Sequence, residues 1–174
     1  MDRKKAYKYM RYVGIAALIL AIFGGKALFV LLIAMSLGLS FVIQNFPIRQ
    51  LGLELVTFIA VLTGMRYGAL AAVIVTFVLI SYHLVMGGFI STYVLWVIPS
   101  YCLAGLIAGI FPNADIQAMG TYLTIMINSI NSFFTLITSP SQIAKYLPYA
   151  VTNILFNIFL FTFFARLALA GLRI

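Results

Sequence analysis

The stretch ALFVLLIAMSLGLSFVIQNF, residues 27–46, decides the fold class of this chain. It contains no charged side chain, and an α-helix of about 20 apolar residues is long enough to cross the hydrocarbon core of a bilayer. In the whole chain, hydrophobic residues make up 64% and charged residues only 8%. A soluble domain is roughly half apolar and about a quarter charged. A soluble fold cannot bury so much apolar surface, so the sequence predicts a membrane protein.

Five further apolar runs extend this prediction to an all-α, polytopic fold with six transmembrane helices. Turns and loops rich in glycine, proline or asparagine separate the runs. The second run is short, the fourth contains Pro99, where we expect a kink, and the fifth is more polar than the others. The predicted spans are residues 27–46, 53–63, 69–86, 90–111, 118–138 and 145–169.

The segment before the first span, residues 12–25, is apolar but short. Its length as a helix is about 21 Å, whereas the hydrocarbon core is about 30 Å thick. We therefore expect an N-terminal interfacial or half-inserted helix on the cytoplasmic side. The predicted division is a basic cytoplasmic N-terminus with this short helix, residues 1–26, followed by a six-helix transmembrane domain, residues 27–174.

The distribution of positive charge predicts an orientation. Five of the eleven basic residues precede Tyr12, which is typical of a cytoplasmic anchor against anionic headgroups rather than of a nucleic-acid-binding face. With six spans, the turn at Arg66 and the C-terminal tail also fall inside. We therefore expect a multi-pass protein of the cell membrane with both termini cytoplasmic. Few charged or titratable side chains remain at or near the outer face: Arg49, His83 and Lys145.

The composition argues against an enzyme. One histidine, one cysteine and three acidic residues are spread along the chain, so their spacing supports no metal site, paired-carboxylate site or nucleophile triad. No glycine-rich phosphate-binding loop is present in the sequence, so we expect no ATP site of the P-loop kind. We predict no catalytic residue, no metal site and no cofactor in this chain.

Two stretches resemble a family. Residues 53–73, LELVTFIAVLTGMRYGALAAV, are similar to the second and third helices of the substrate-binding S-components of energy-coupling factor (ECF) vitamin transporters. Residues 146–157, YLPYAVTNILFN, are similar to the start of the last helix in that family. The chain departs from the commonest family pattern at Thr57, Ile59 and Asn153, so the resemblance names no particular vitamin. The positions that match the pattern are Glu54, Ala60, Gly64, Gly68, Leu70, Pro148 and Asn157.

The resemblance implies a function and partners. An S-component captures a small water-soluble vitamin or related micronutrient from outside the cell. Its partners are a membrane coupling subunit and two cytoplasmic ATPases, which hydrolyse the ATP that drives uptake. A pair of small residues on the first helix contacts the coupling subunit in that family, and Ala34 with Gly38 is the nearest match here. Internal helix packing explains this pair equally well.

Polar residues inside the predicted spans are candidates for substrate contact. Asn128 and Asn131 are three residues apart and share one helix face, whereas Asn153 and Asn157 are four apart and share another. If the last two spans are neighbours, the four amides form one polar seam. Hydrogen bonding between helices is the alternative role for each of them.

Residues near the predicted outer ends are the other candidates. Tyrosine and tryptophan are common at bilayer interfaces, but they also stack on flat ligands. Glu54 and Arg49 form either a cap or salt bridge at the start of the second span, or a group that recognises the substrate. The candidate residues of this group are Arg49, Glu54, His83, Tyr93, Trp96 and Tyr146.

Two other functions remain open from sequence. A structural membrane scaffold of the cell-shape type has a similar six-helix fold and transports nothing. A closed, solidly packed outer half would favour that scaffold, and an outer pocket would favour a binding protein. A self-contained channel or an intramembrane enzyme requires a continuous polar path or an acid beside a buried nucleophile, and the sequence indicates neither.

Overall fold

The computed structural model describes the backbone of residues 3–46 and 50–173, and side chains from Gly24 onward within those ranges. Within this part the chain is 84% helical and contains no strand. The seven α-helices are α1 (Arg3–Asn45), α2 (Val56–Tyr67), α3 (Ala69–Met86), α4 (Val94–Ile110), α5 (Ile116–Thr138), α6 (Ile143–Phe163) and α7 (Ala165–Leu172), with a 3₁₀ turn at Pro140–Gln142.

Helix α1 differs from the sequence expectation. The segment predicted as a separate short helix is continuous with the first span, and the helix passes through Gly24, Gly25 and Lys26 without a break. A helical glycine costs only about 1 kcal/mol relative to alanine, and no proline interrupts the segment. Gly25 also lies against α7, where an added Cβ atom would come within 2.8 Å of the Leu172 carbonyl oxygen. Because a side chain would collide with this backbone, the contact explains why a glycine stands within the helix at this position.

The last predicted span is divided into two helices. α6 ends at Phe163, and α7 begins at Ala165 after a single turn residue, Phe164. α7 buries Ala165, Leu169 and Leu172 against the ends of neighbouring helices. Its last turn is held by Arg66, whose Nε donates a hydrogen bond of 2.7 Å to the Leu172 carbonyl oxygen.

The turn before α5 is tied to the same end of the molecule. The Asp115 carboxylate accepts hydrogen bonds from the backbone N–H groups of Gln117 and Ala118 and forms a 3.0 Å ion pair with Arg166. The N–H of Ala118 and the Arg166 guanidinium lower the pKa of Asp115 below its ordinary value. We call the end of the bundle that contains Arg66, Asp115 and Arg166 the basic end.

Among the described residues, three helical segments are long and apolar enough to cross a membrane: Gly24–Asn45 within α1, Ala69–Met86, and Pro140–Phe163. α2 and α4 are apolar but shorter, with 12 and 17 residues. α5 has 23 residues but is more polar. Four of its polar side chains, Thr124, Asn128, Asn131 and Thr135, are buried inside the protein, whereas Ser129 and Thr138 are exposed.

The outer surface is rich in large apolar side chains on nearly every helix, whereas a water-facing exterior would be mostly polar or charged. Leu70, Leu95 and Tyr122 are each more than 70% exposed. This distribution, together with the three long apolar helices, indicates that the protein associates with a membrane.

Helix α2 lies at the centre of the bundle. Ten of its twelve residues are buried, and it packs against α3, α4, α5, α6 and α7. Close approach to α4 depends on small residues, since a Cβ atom added at Gly64 would lie 2.7 Å from the Gly105 carbonyl oxygen and 2.9 Å from Ala108 Cβ. Through these contacts α2 fixes the positions of α3, α4 and α6, which also meet at the end of the molecule opposite the basic end.

Candidate ligand-binding cavity

A cavity of about 500 Å³ opens at the end of the bundle opposite the basic end. It lies where α3 ends and where α4 and α6 begin, and the turn at Gly87 and Gly88 forms part of its wall. A volume of this size is within the range of small-molecule sites. We call this end the cavity end. Of the residues that the structure describes, six aromatic ones contribute to its wall: Phe89, Tyr93, Trp96, Tyr101, Tyr146 and Tyr149.

The aromatic side chains of the wall contact one another and hold their rings in place. Tyr93 meets Trp96 edge-on with ring centroids 5.6 Å apart, and Trp96 stacks on Phe134 at 5.8 Å. Tyr146 stacks on Tyr149 at 5.7 Å. Such pairs add about 0.5–1.5 kcal/mol each beyond the burial of their surface. The wall is therefore a preformed apolar surface suited to a flat ring.

His83 lies in the cavity wall and is bonded to α1. Its Nδ1 is 3.0 Å from Ser40 Oγ, and its Nε2 is 2.8 Å from Gln44 Nε2. Because the amide nitrogen of Gln44 is a donor, this arrangement suits a neutral ring whose Nδ1–H donates to Ser40. Both ring nitrogens are thus occupied by α1, and His83 connects that helix to the cavity.

Glu54 is fully buried and lies at the start of α2, where it accepts four hydrogen bonds. The Thr57 backbone N–H donates at 3.0 Å and the Thr57 hydroxyl at 2.7 Å. The amides of Asn153 and Asn157 donate to Oε1 at 3.0 and 3.4 Å. Glu54 therefore caps α2 and links it to α6. A cap at the start of the second span was one of the roles that the sequence left open for this residue.

The four asparagines extend this link across the bundle. Helices α5 and α6 are neighbours, as the polar-seam prediction required. Asn128 donates to Asn153 Oδ1 at 2.8 Å, and the Asn131 amide oxygen accepts from the Ser100 hydroxyl of α4 at 3.2 Å. All four are at most 2% exposed, and none lies in the cavity wall. They make hydrogen bonds between helices, which was the alternative to substrate contact in the sequence analysis.

Tyr146 joins the buried polar residues to the cavity. Its ring lies in the wall, and its hydroxyl is 3.4 Å from Asn128 Oδ1. The set formed by Glu54, Asn128, Asn153, Asn157 and Tyr146 is called the polar network below. It connects Glu54 and Asn153 to the cavity wall through the hydrogen bonds of Asn128 with Asn153 and Tyr146.

The predicted site residues thus fall into separate groups. His83, Tyr93, Trp96 and Tyr146 line the cavity, whereas Glu54 and the asparagines lie beneath it. Arg49 lies outside the described residues. Sequence reasoning did not select Thr135 or Lys145 as site residues, although both line the cavity. Lys145 carries a signal in the sequence, since it is one of the few charges predicted near the outer face.

Two buried polar atoms of the wall residues have no hydrogen-bond partner within the described part of the chain. They are Trp96 Nε1 and Thr135 Oγ1. Buried polar atoms are nearly always bonded, so each of these is a group that a ligand could satisfy after a small side-chain movement. Among the described residues there is no group of three His, Cys, Asp or Glu side chains that could hold a metal ion.

The pair predicted to contact a coupling subunit lies on α1. Ala34 and Gly38 are both exposed, and a Cβ atom added at Gly38 would meet nothing within 4 Å. Neighbouring Ser36 and Ser40 on the same helix are buried against the bundle. The small pair is therefore not used for packing within the described part of the protein.

Comparison of the chain with family models, with curated proteins and with solved structures found no match.

Proposed function

We propose that this protein is the membrane-embedded substrate-binding subunit of an ECF-type importer. In this proposal it captures a small water-soluble vitamin or related micronutrient at the outer face of the cell membrane. A membrane coupling subunit and two cytoplasmic ATPases then drive uptake, so ATP is hydrolysed by the partners and not by this chain. The proposal includes six membrane spans, with the cavity end outside and both termini in the cytoplasm.

The cavity at one end of the bundle is the observation that carries this proposal. An aromatic-lined space of about 500 Å³ suits a vitamin-sized ligand. A structural scaffold has no need of such a space, and filling it would stabilise the bundle. The exposed pair Ala34 and Gly38 further supports a docking partner, because small residues allow a second helix to approach closely in a membrane.

The proposed orientation has support from the distribution of charge. Arg66 and Arg166 lie at the basic end, and Arg173 directly follows α7. Under the positive-inside rule this end belongs in the cytoplasm, and the cavity then opens to the outside. A substrate could therefore enter from the external solution.

Trp96 provides a direct test, because it is the chain's single tryptophan and lines the cavity. We expect its fluorescence to change saturably when one member of a panel of water-soluble vitamins is titrated into the purified protein. Tyr93→Ala is expected to weaken that binding about tenfold, since it removes an aromatic contact worth roughly 1 kcal/mol and its buried area.

Tyr122→Ala is the matched control. Tyr122 is 72% exposed on α5 and does not line the cavity, so this variant should bind as the wild type does. If no vitamin produces a saturable change, or if both tyrosine variants behave alike, the proposed binding site is wrong.

A further inference from the structure

We propose that the cavity selects a flat aromatic ligand that carries a carboxylate or another anionic group, and that Lys145 binds this group. The inference rests on the proposed function and narrows it, because a substrate-binding subunit could equally take a neutral or a cationic vitamin. Three features support it: the charge of the cavity wall, the location of Lys145 and the aromatic residues that line the same cavity.

The charges on the described part of the cavity wall are of one sign. Lys145 is its single permanently charged side chain, and no aspartate or glutamate is present among the described lining residues. Glu54 is the acidic residue closest in sequence to a residue of the wall, Gln50. It is buried and already accepts four hydrogen bonds. A cationic ligand would meet Lys145 with no carboxylate on the wall to balance the two positive charges.

The local structure around Lys145 does not stabilise a lysine. It lies in the first turn of α6, where the partial positive charge of the helix terminus repels a cation. The ion pair between Arg166 and Asp115 is the one salt bridge among the described residues, so Lys145 has no carboxylate partner there. Its side chain is exposed at the cavity, where an anionic ligand would supply that partner.

The rest of the wall defines the shape and polarity of the ligand. Tyr93, Trp96 and Tyr146 offer aromatic surfaces, whose pairwise contacts fix their orientation. Trp96 Nε1–H is a donor without a partner among the described residues, which suits a ring nitrogen or carbonyl oxygen as acceptor. His83 contributes no negative charge to the wall, and its ring nitrogens are hydrogen-bonded to Ser40 and Gln44.

The test compares ligands that share one aromatic ring system and differ in the charge of a single substituent. The probes are quinoline-6-carboxylate, its primary amide and the corresponding aminomethyl cation, together with any small molecule that co-purifies with the protein. Dissociation constants are measured by calorimetry for the full chain in lipid nanodiscs. We expect the acid to bind at least about fivefold more tightly than the amide and the cation, as a partly exposed ion pair allows.

Variants of Lys145 separate ligand binding from membrane anchoring. Lys145→Met is expected to weaken binding of the acid about fivefold and to leave the amide unchanged, whereas Lys145→Arg should retain the preference for the acid. Lys26→Met, which changes an exposed lysine remote from the cavity lining, is the control. A lysine that only contacted lipid headgroups would leave the affinity of every probe unchanged.

Each outcome decides between the two proposals. Tightest binding of the cation, a cationic co-purified molecule, or no effect of Lys145→Met on the acid would overturn the charge preference while leaving the binding function in place. Failure of every probe to bind, with no co-purified molecule, would overturn both proposals.

Discussion

Replacing Gly109 with alanine is expected to destabilise the protein by about 3 kcal/mol, at the upper end of the usual cost of overpacking. Gly109 lies where α4 crosses the start of α3, and an added Cβ atom would collide with the backbone of Ala69 and lie 2.8 Å from the carbonyl carbon of Gly68. Backbone atoms cannot rotate away as a side chain can. The two helices would have to separate, which would disturb the packing of both against α2.

Gly38→Ala is the matched control for Gly109→Ala. Both glycines are in helices, but a Cβ atom at Gly38 meets nothing within 4 Å. The control should equal or slightly exceed the wild type in stability, because alanine is the better helix former by up to about 1 kcal/mol. Thermal unfolding in one detergent, followed by circular dichroism, measures both. Equal melting temperatures for the two variants would contradict the described contact between α3 and α4.

Replacing Glu54 with alanine is expected to cost about 3 kcal/mol or more, because several buried donors that lose their acceptor keep their full desolvation penalty. The donors are the N–H and hydroxyl of Thr57 and the amides of Asn153 and Asn157. Glu54→Gln should fall between the wild type and the alanine variant, since it keeps the size and one acceptor oxygen but replaces the other oxygen with a donor group.

Asn153 allows the same network to be tested from α6. Asn153→Ala removes its hydrogen bonds to the Gly52 carbonyl oxygen, to Glu54 and to Asn128, all within the buried interior. Asn45→Ala is its control, because that exposed amide bonds to the Phe41 carbonyl oxygen and to no other group in the part of the chain that the structure describes. Urea or thermal unfolding should show a large loss for Asn153→Ala alone. A loss of the same size in both variants would mean that the polar network adds no specific stability.

Much of the helical structure follows from the sequence. α3 occupies the predicted residues 69–86, because its apolar run is bounded by glycines on both sides. Gly68 has φ +88°, a conformation that glycine adopts without strain. The apolar character of the surface also follows directly from composition.

The boundaries that were missed depend on tertiary contacts. Gly24 and Gly25 resemble a helix break in the sequence, but α1 continues because Gly25 packs against Leu172, more than a hundred residues away. The break at Phe164 has no nearby glycine or proline signal. It allows α7 to bury Ala165, Leu169 and Leu172, an advantage that only the folded bundle reveals.

The candidate site was predictable in its residue types but not in its arrangement. Spacing correctly placed Asn128 with Asn131 and Asn153 with Asn157 on shared helix faces. It could not specify that Glu54 would meet the second pair, because that contact joins residues about a hundred positions apart. The role that we propose for Lys145 depends likewise on the cavity that α3, α4 and α6 form together, which no local pattern encodes.

Native mass spectrometry of the purified protein tests the central claim most directly. We expect a bound small molecule that is retained by the wild type and by Phe77→Ala but lost in Trp96→Ala. Phe77 is an exposed aromatic residue away from the cavity. The spectrum of the wild-type protein should also shift by one ligand mass when the matching vitamin is added. Spectra of an empty protein, together with no thermal stabilisation by any water-soluble vitamin, would contradict the assignment as a substrate-binding subunit.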